Sequence, residues 1–182
     1  MPMDLMSTRI PRTAVRDWRV PPALLAAVAG GGQLVIARRS GRRPSPLSLV
    51  GAALVAVPSA WLAVDCVVRF RRAGTTVDPT VPGAASALVT AGANGLTRNP
   101  MYVAMAGGLV AHAVARRSWP GLLPVAAFVV AMSRWQIAAE ERALAGHFGD
   151  SYARYRATVP RWVGLTSVHA AFAARHAGGA SR

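Results

Sequence analysis

The chain has 182 residues, 53% of them hydrophobic and only 15% charged, where an ordinary soluble domain carries about 25% charged residues. With a positive mean hydropathy, this balance excludes a disordered chain and argues against an ordinary soluble enzyme. The formal charge of +14 comes from 21 basic residues, all arginine; they fall in short clusters between apolar stretches, which ranks membrane-flanking charge above nucleic-acid binding.

In chain order, residues 1–20 form a basic N-terminal segment and residues 21–68 hold two apolar membrane segments. The first, Pro21–Ala37, contains Gly30-Gly31-Gly32; the second is Leu47–Val68. A spanning helix needs about 20 apolar residues, a length the second segment meets comfortably and the first marginally. Ala27-Val28-Ala29 has the small-x-small form of a leader-cleavage site, so residues 21–37 can span, re-enter or be cleaved. The long polar lead and Pro21-Pro22 favour a retained span. Cys66 reads as a small buried hydrophobe, and Asp65 as the partner of Arg69 in an i,i+4 pair at the membrane interface. Arg69–Asn99 is rich in Gly, Thr and Pro and reads as a loop.

Residues 69–164 form the remaining region, with a helical hairpin over 101–135 built from Met101–Ala115 and Trp119–Trp135 and turned at Arg116-Arg117-Ser118. A further helix follows over Arg134–Gly149, with Gly149 as its C-cap, and residues 165–182 read as a loose tail. The expected fold is all-α: an integral-membrane bundle of about four transmembrane helices plus a cytoplasmic C-terminal helix. With both termini inside, 15 arginines lie on the inner side and six outside, which favours a cytoplasmic location for both termini. Arg38, Arg39, Arg42 and Arg43 run against that count locally.

The motifs of soluble catalysis are missing: there is no P-loop, no GxGxxG after a strand, no GxSxG and no zinc-ligand spacing. What remains is a polar constellation on the predicted inner side: Gly92, Arg98-Asn99-Pro100-Met101-Tyr102, Glu140-Glu141, Phe148-Gly149, Tyr152, Tyr155 and Val159-Pro160-Arg161. Pro100 suits the first turn of a helix, and Asn99 before it suits the N-cap. Arg98 beside that N-terminus reads either as an interfacial anchor or as part of an anion site. On the next helix Ile137, Glu141, Leu144 and Phe148 share one stripe, so Glu141 falls on the apolar face and needs a partner there. Arg134 is one candidate and a bound cationic group the other. Glu140 falls toward Gln136 and His147 and reads as a solvated charge.

Two stretches carry a resemblance. Arg98-Asn99-Pro100-Met101-Tyr102, and Glu140-Glu141 followed by Leu144, Phe148-Gly149, Tyr152 and Tyr155, resemble the R-[HN]-P-x-Y and E-E-x-x-L-x-x-x-F-G-x-x-Y-x-x-Y patterns. Those patterns belong to the isoprenylcysteine carboxyl methyltransferase and phospholipid methyltransferase group of integral-membrane enzymes. The resemblance implies S-adenosylmethionine as cofactor, bound near the cytoplasmic face, and a lipophilic acceptor entering from the bilayer, either an isoprenoid-bearing carboxylate or a lipid head group. It implies a cofactor site drawn from Gly92, Arg98, Asn99, Pro100, Tyr102, Glu140, Glu141 and Tyr152, with Arg98, Glu141 and Tyr102 as the catalytic candidates. Arg98 would hold the cofactor carboxylate, Glu141 with Glu140 its amino group or ribose, and Tyr102 would offer a π face to the sulfonium. No metal is implied. Two other readings stay open at this point: an NADPH-dependent membrane reductase of the sterol-reductase type, and a non-enzymatic membrane scaffold.

Overall fold

The computed structural model describes residues 20–74 and 86–164; the expectations for residues 1–19, 75–85 and 165–182 lie outside them. The described residues are helical, with no strand among them. In order they form α1 (Pro22–Ser40), α2 (Pro46–Arg72), the single turn α3 (Ala93–Leu96), α4 (Pro100–Ala115), α5 (Leu122–Ala131) and α6 (Ile137–Thr158). A 3-10 turn at Trp119–Gly121 leads into α5, and a π-helical turn at Met132–Gln136 joins α5 to α6.

Local chemistry sets the starts. Pro22, Pro46 and Pro100 each sit in the first turn of a helix, where the missing N–H has no intrahelical partner to lose. Ser45 and Ser48 form a capping box on α2: the Ser48 N–H donates to Ser45 Oγ at 3.2 Å and the Ser45 N–H to Ser48 Oγ at 2.8 Å. The first segment forms a helix straight through Gly30-Gly31-Gly32. Glycines weaken an isolated helix, so packing must hold α1. Gln33, 1% exposed, supplies part of that hold. Its amide donates to Leu109 O at 2.9 Å and Gly121 O at 2.8 Å, and its Oε1 lies 2.9 Å from His112 Nδ1. This pins α1 to both arms of the α4–α5 hairpin.

The core joins Ala29 of α1 to Tyr102 and Leu109 of α4, Val125 and Phe128 of α5, and Met132 and Ile137 beyond it. α2 packs along α4. The approach is close: a Cβ on Gly107 would collide with Ser59, the small-residue contact by which helices associate in lipid. The outward faces are as apolar as the interior, with Val28, Leu54, Val57, Trp61, Leu123 and Val130 all half-exposed or more. A helix apolar all round suits a lipid environment. Two helices, Pro46–Arg72 and the continuous run Trp119–Thr158, are long and apolar enough to cross a membrane, and Pro100–Ala115 is a shorter apolar helix. Trp119 and Trp135 are both exposed and lie about 24 Å apart along that run, a spacing suited to two interfacial anchors.

The structure corrects the sequence reading in three places. Gly149 does not end the last helix; it kinks it with φ 52° and ψ −126°, and the helix resumes to Thr158. Arg69–Asn99 is not all loop, since α2 continues to Arg72 and α3 occupies one turn within it. The hairpin's second arm and the last helix are one run rather than two elements, because the π turn lets the backbone continue without a break.

The bundle has two polar ends. At one, Ser48 Oγ donates to Ala115 O at 3.1 Å and Arg42 Nη1 to Arg117 O at 3.2 Å. At the other, the C-terminal end of α2, α3, the start of α4, the π turn and α6 converge.

Candidate functional site

The start of α4 is built by the chain that follows α6. The Arg98 N–H donates to Pro160 O at 2.9 Å, and Thr97 Oγ1 and Asn99 Nδ2 both donate to Arg161 O, at 2.8 and 3.0 Å. Trp162 Nε1 ties the same strip to Ser133 Oγ at 3.0 Å. Thr97 is fully buried and Asn99 nearly so, so these bonds satisfy groups that would otherwise be costly to bury. Asn99 occupies the N-cap position as expected, but its side chain makes no cap bond; it is spent on Arg161 O instead.

This bracing delivers Arg98 to Glu141. Arg98 Nη2 lies 3.1 Å from Glu141 Oε1, and both side chains are about 10% exposed. Arg161 completes the cluster with two parallel bonds, Nε to Oε1 at 3.0 Å and Nη2 to Oε2 at 2.5 Å, the bidentate geometry that only a guanidinium offers a carboxylate. The Glu141 bonds raise the Arg161 pKa above its ordinary value, outweighing the opposing effect of partial burial. The cluster sets two guanidinium groups against one carboxylate. Arg98 Nε and Nη1 are buried with no hydrogen-bond partner.

Glu141 is therefore on the inner stripe as expected, but its partner is not Arg134, which is exposed. The π turn inserts extra backbone between the two residues and takes Arg134 off the stripe. Glu140 is not a solvated charge either. Its Oε1 accepts from Gln136 Nε2 at 2.7 Å and from the Tyr102 hydroxyl in a short bond. Tyr102 and Gln136 are both 5% exposed. Adjacent glutamates thus reach different partners on one face of the site, Glu141 toward Arg98 and Arg161, Glu140 toward Tyr102.

Tyr152 follows the Gly149 kink, is 2% exposed and lies near both the Arg98 and Glu141 charges. It packs with Tyr155, Val159, Leu88, Leu144 and Phe148, and Tyr155 donates to Asn94 O at 2.6 Å. Pro100 is buried at the first turn of α4. Gly92 sits elsewhere in the arrangement: its φ is 64°, and a Cβ there would run into Asp65 and Arg69. Asp65 and Arg69 form the expected pair at 2.7 Å, and Asp65 Oδ2 also accepts the Ala93 N–H at 2.7 Å. Asp65 is thereby the tether of α3 to α2. Cys66 is buried and free, also as expected.

The sequence places Arg161 in the inner-side constellation without giving it a partner or a role, and it does not single out Gln136 or Thr97 as site residues. Gln136 was within reach, since it precedes Glu140 by one helical turn. Arg161 lies 20 residues beyond Glu141 and outside the helix, and no local periodicity pairs them.

The arrangement offers a buried guanidinium with unused donors, next to a carboxylate–phenol pair, on an apolar helical bundle. Among the described residues no group of acidic, His and Cys side chains could hold a metal ion. A family model for phospholipid methyltransferases matches residues 47–151, more than half of the chain. The match runs from α2 into α6, takes in Gly92, Arg98, Tyr102, Glu140 and Glu141, and ends before Tyr152 and Arg161. Comparison with curated proteins and with solved structures returns no match. The chain belongs to the phospholipid methyltransferase family, within the isoprenylcysteine carboxyl methyltransferase-like group of membrane methyltransferases.

Proposed function

We propose that the protein uses S-adenosylmethionine to methylate a lipophilic acceptor that enters from the bilayer, an isoprenoid-bearing carboxylate or a lipid head group. The observation that carries this reading is Arg98: Nε and Nη1 are buried without a partner, while Nη2 is held by Glu141. A buried donor pair of this kind needs an anion, and an amino-acid carboxylate fits the planar fork.

S-adenosylmethionine supplies a methyl group already activated on a sulfonium, so a direct in-line displacement needs no covalent step on the protein. The chain's own work is placement. Arg98 binds the carboxylate. Glu141 positions Arg98 and is itself fixed by Arg161, so its role is to orient rather than to bind alone. Glu140, with Tyr102 and Gln136, supplies negative charge and a phenol face for the cationic part. Tyr152 closes the apolar side. In this reading four helical segments cross the membrane, both termini are cytoplasmic and the Glu141 end faces the cytoplasm, where the cofactor is made; the arginine count supports that orientation.

Equilibrium binding of radiolabelled S-adenosylmethionine to detergent-purified protein tests the proposal. Saturable binding that NADPH does not compete for is expected, and it should weaken in Arg98→Ala while Arg142→Ala binds like the parent. Binding of NADPH alone, or an Arg98→Ala variant that is folded and binds normally, overturns it.

A further inference from the structure

The opposite end of the bundle carries six arginines: Arg38, Arg39, Arg42, Arg43, Arg116 and Arg117. Among the described residues it meets no carboxylate. The seven acidic residues include none between residues 18 and 64 and none between 79 and 139, the stretches that build this end. A cavity of about 240 Å³ opens here, lined by Arg42, Arg117 and Ser118 on its polar side and by Val114, Trp119 and Leu122 on its apolar side. Ser118 is only 5% exposed, and its Oγ has no hydrogen-bond partner. Arg116 Nε, next in the chain to the lining residues, is likewise buried and unpartnered.

The backbone is shaped to present Arg117. The Arg117 N–H donates to Val114 O at 2.9 Å and the Ser118 N–H to Ala113 O at 3.0 Å, a Schellman ending of α4. The left-handed residue of that motif is ordinarily glycine, yet here it is Arg117 with φ 53°. Arg42, across the cavity, donates to the Arg117 carbonyl at 3.2 Å.

We propose that this cavity is a binding site for one anionic phospholipid of the adjoining leaflet, separate from the methyl-transfer site. Arg42 and Arg117 hold the phosphate, Ser118 Oγ donates to it, and the first carbons of the chains lie on Val114, Leu122 and Trp119. Guanidinium groups suit a phosphate diester, and an exposed Trp beside them sits at headgroup depth. The apolar half of the lining is what commits the site to a lipid rather than to a free anion. The lipid also supplies a counter-charge that the described residues lack at this end.

The test is photocrosslinking of the full chain in nanodiscs of phosphatidylcholine doped with a diazirine-tailed phosphatidylglycerol. Crosslinks mapping to residues 113–122, competed by unlabelled phosphatidylglycerol but not by added phosphatidylcholine or by inorganic phosphate, are expected. The double variant Arg42→Gln/Arg117→Gly should lower capture about tenfold, the scale of one lost charge-assisted contact. The control Arg38→Gln/Arg39→Gln removes the same charge outside the cavity and should change capture less than about twofold. Arg117→Gly relieves the left-handed backbone, and the melting temperature of the double variant separates lost capture from any loosening caused by losing the Arg42 bond to the Arg117 carbonyl. Equal competition by phosphatidylcholine, full competition by inorganic phosphate, equal loss in the control, or undiminished capture in the double variant each overturns the site.

Discussion

The two ends of the bundle use arginine in opposite ways. At the α6 end, Arg98 and Arg161 converge on Glu141, and Arg69 on Asp65. At the other end six arginines meet no carboxylate among the described residues. The difference lies in the placement of the few acids, since the basic residues are spread along the whole chain. A buried carboxylate turns guanidinium groups into a fixed scaffold with a defined orientation. Without one, the same groups stay in solvent or at the membrane surface and select for anions from outside. The first end can therefore hold a small ligand in a set geometry, and the second can hold only what brings its own negative charge.

The largest effect should come from breaking the scaffold at its centre. Glu141→Ala leaves two guanidinium groups facing each other at a largely buried site, which should cost about 3 kcal/mol. Cys66 gives a direct readout, because the lone thiol is buried in the folded protein and becomes reactive toward a maleimide dye on unfolding. A marked fall in the temperature of dye uptake is expected for Glu141→Ala, with Glu141→Gln intermediate. A variant that melts with the parent would mean that the cluster does not hold this end together.

A smaller effect separates the two arginines. Arg98 has unused donors, whereas Arg161 spends Nε and Nη2 on Glu141 and is about one-third exposed. Arg98→Ala should weaken S-adenosylmethionine binding by about tenfold to a hundredfold, the loss of one charge-assisted interaction. Arg161→Ala should weaken it less and lower stability more. Isothermal binding and dye uptake on the same preparations compare the two, and the reverse ranking would reassign their roles.

Next comes the tether between α2 and α3. A methyl group at Gly92 meets Asp65 and Arg69 and must take a φ of 64° with ψ −129°, a region essentially reserved for glycine. Gly92→Ala should cost about 2 kcal/mol. It should leave the arginine-rich end untouched, so phosphatidylglycerol capture stays at the parental level while the melting temperature falls. Loss of both would show that the two ends do not fold independently of this turn.

What the sequence made legible follows from how local each signal is. The apolar runs, Pro100 opening α4, the Asp65–Arg69 pair and the Ile137–Glu141–Leu144–Phe148 stripe all rest on spacings within a few residues, and all appear in the structure. Both partners of Glu141, and the Tyr102 partner of Glu140, lie 20 to 43 residues away, at the start of α4 and in the chain that folds back after α6. No periodicity carries that information. The π turn defeated the one local guess, Arg134, because a single widened turn shifts every later residue relative to those before it. Gly149 reads as a helix end because glycine usually is one; here the chain bends at a positive φ and resumes. The resembling segments take in Arg98, Tyr102, Glu140, Glu141 and, at their end, Arg161, which the structure brings together; that Arg161 grips Glu141 is not legible in either motif.

The smallest effect has the opposite sign and tests the arginine-rich end alone. Arg117 occupies the left-handed position of the Schellman ending of α4, where a side chain other than glycine is disfavoured by about 1–2 kcal/mol. In phosphatidylcholine nanodiscs, where no anionic lipid is present to compensate, Arg117→Gly should stabilise the protein by about 1 kcal/mol, the part of that cost not returned through the added flexibility of the unfolded chain. In phosphatidylglycerol nanodiscs the gain should shrink or vanish, because the variant gives up a lipid contact that stabilises the parent by mass action. Dye uptake at Cys66 measures both, since that thiol lies in α2 near the other end and reports global opening rather than the substituted turn. An equal gain in the two lipids would mean that Arg117 makes no contact with the anionic headgroup, and a loss in phosphatidylcholine would mean that its side chain supports the turn itself.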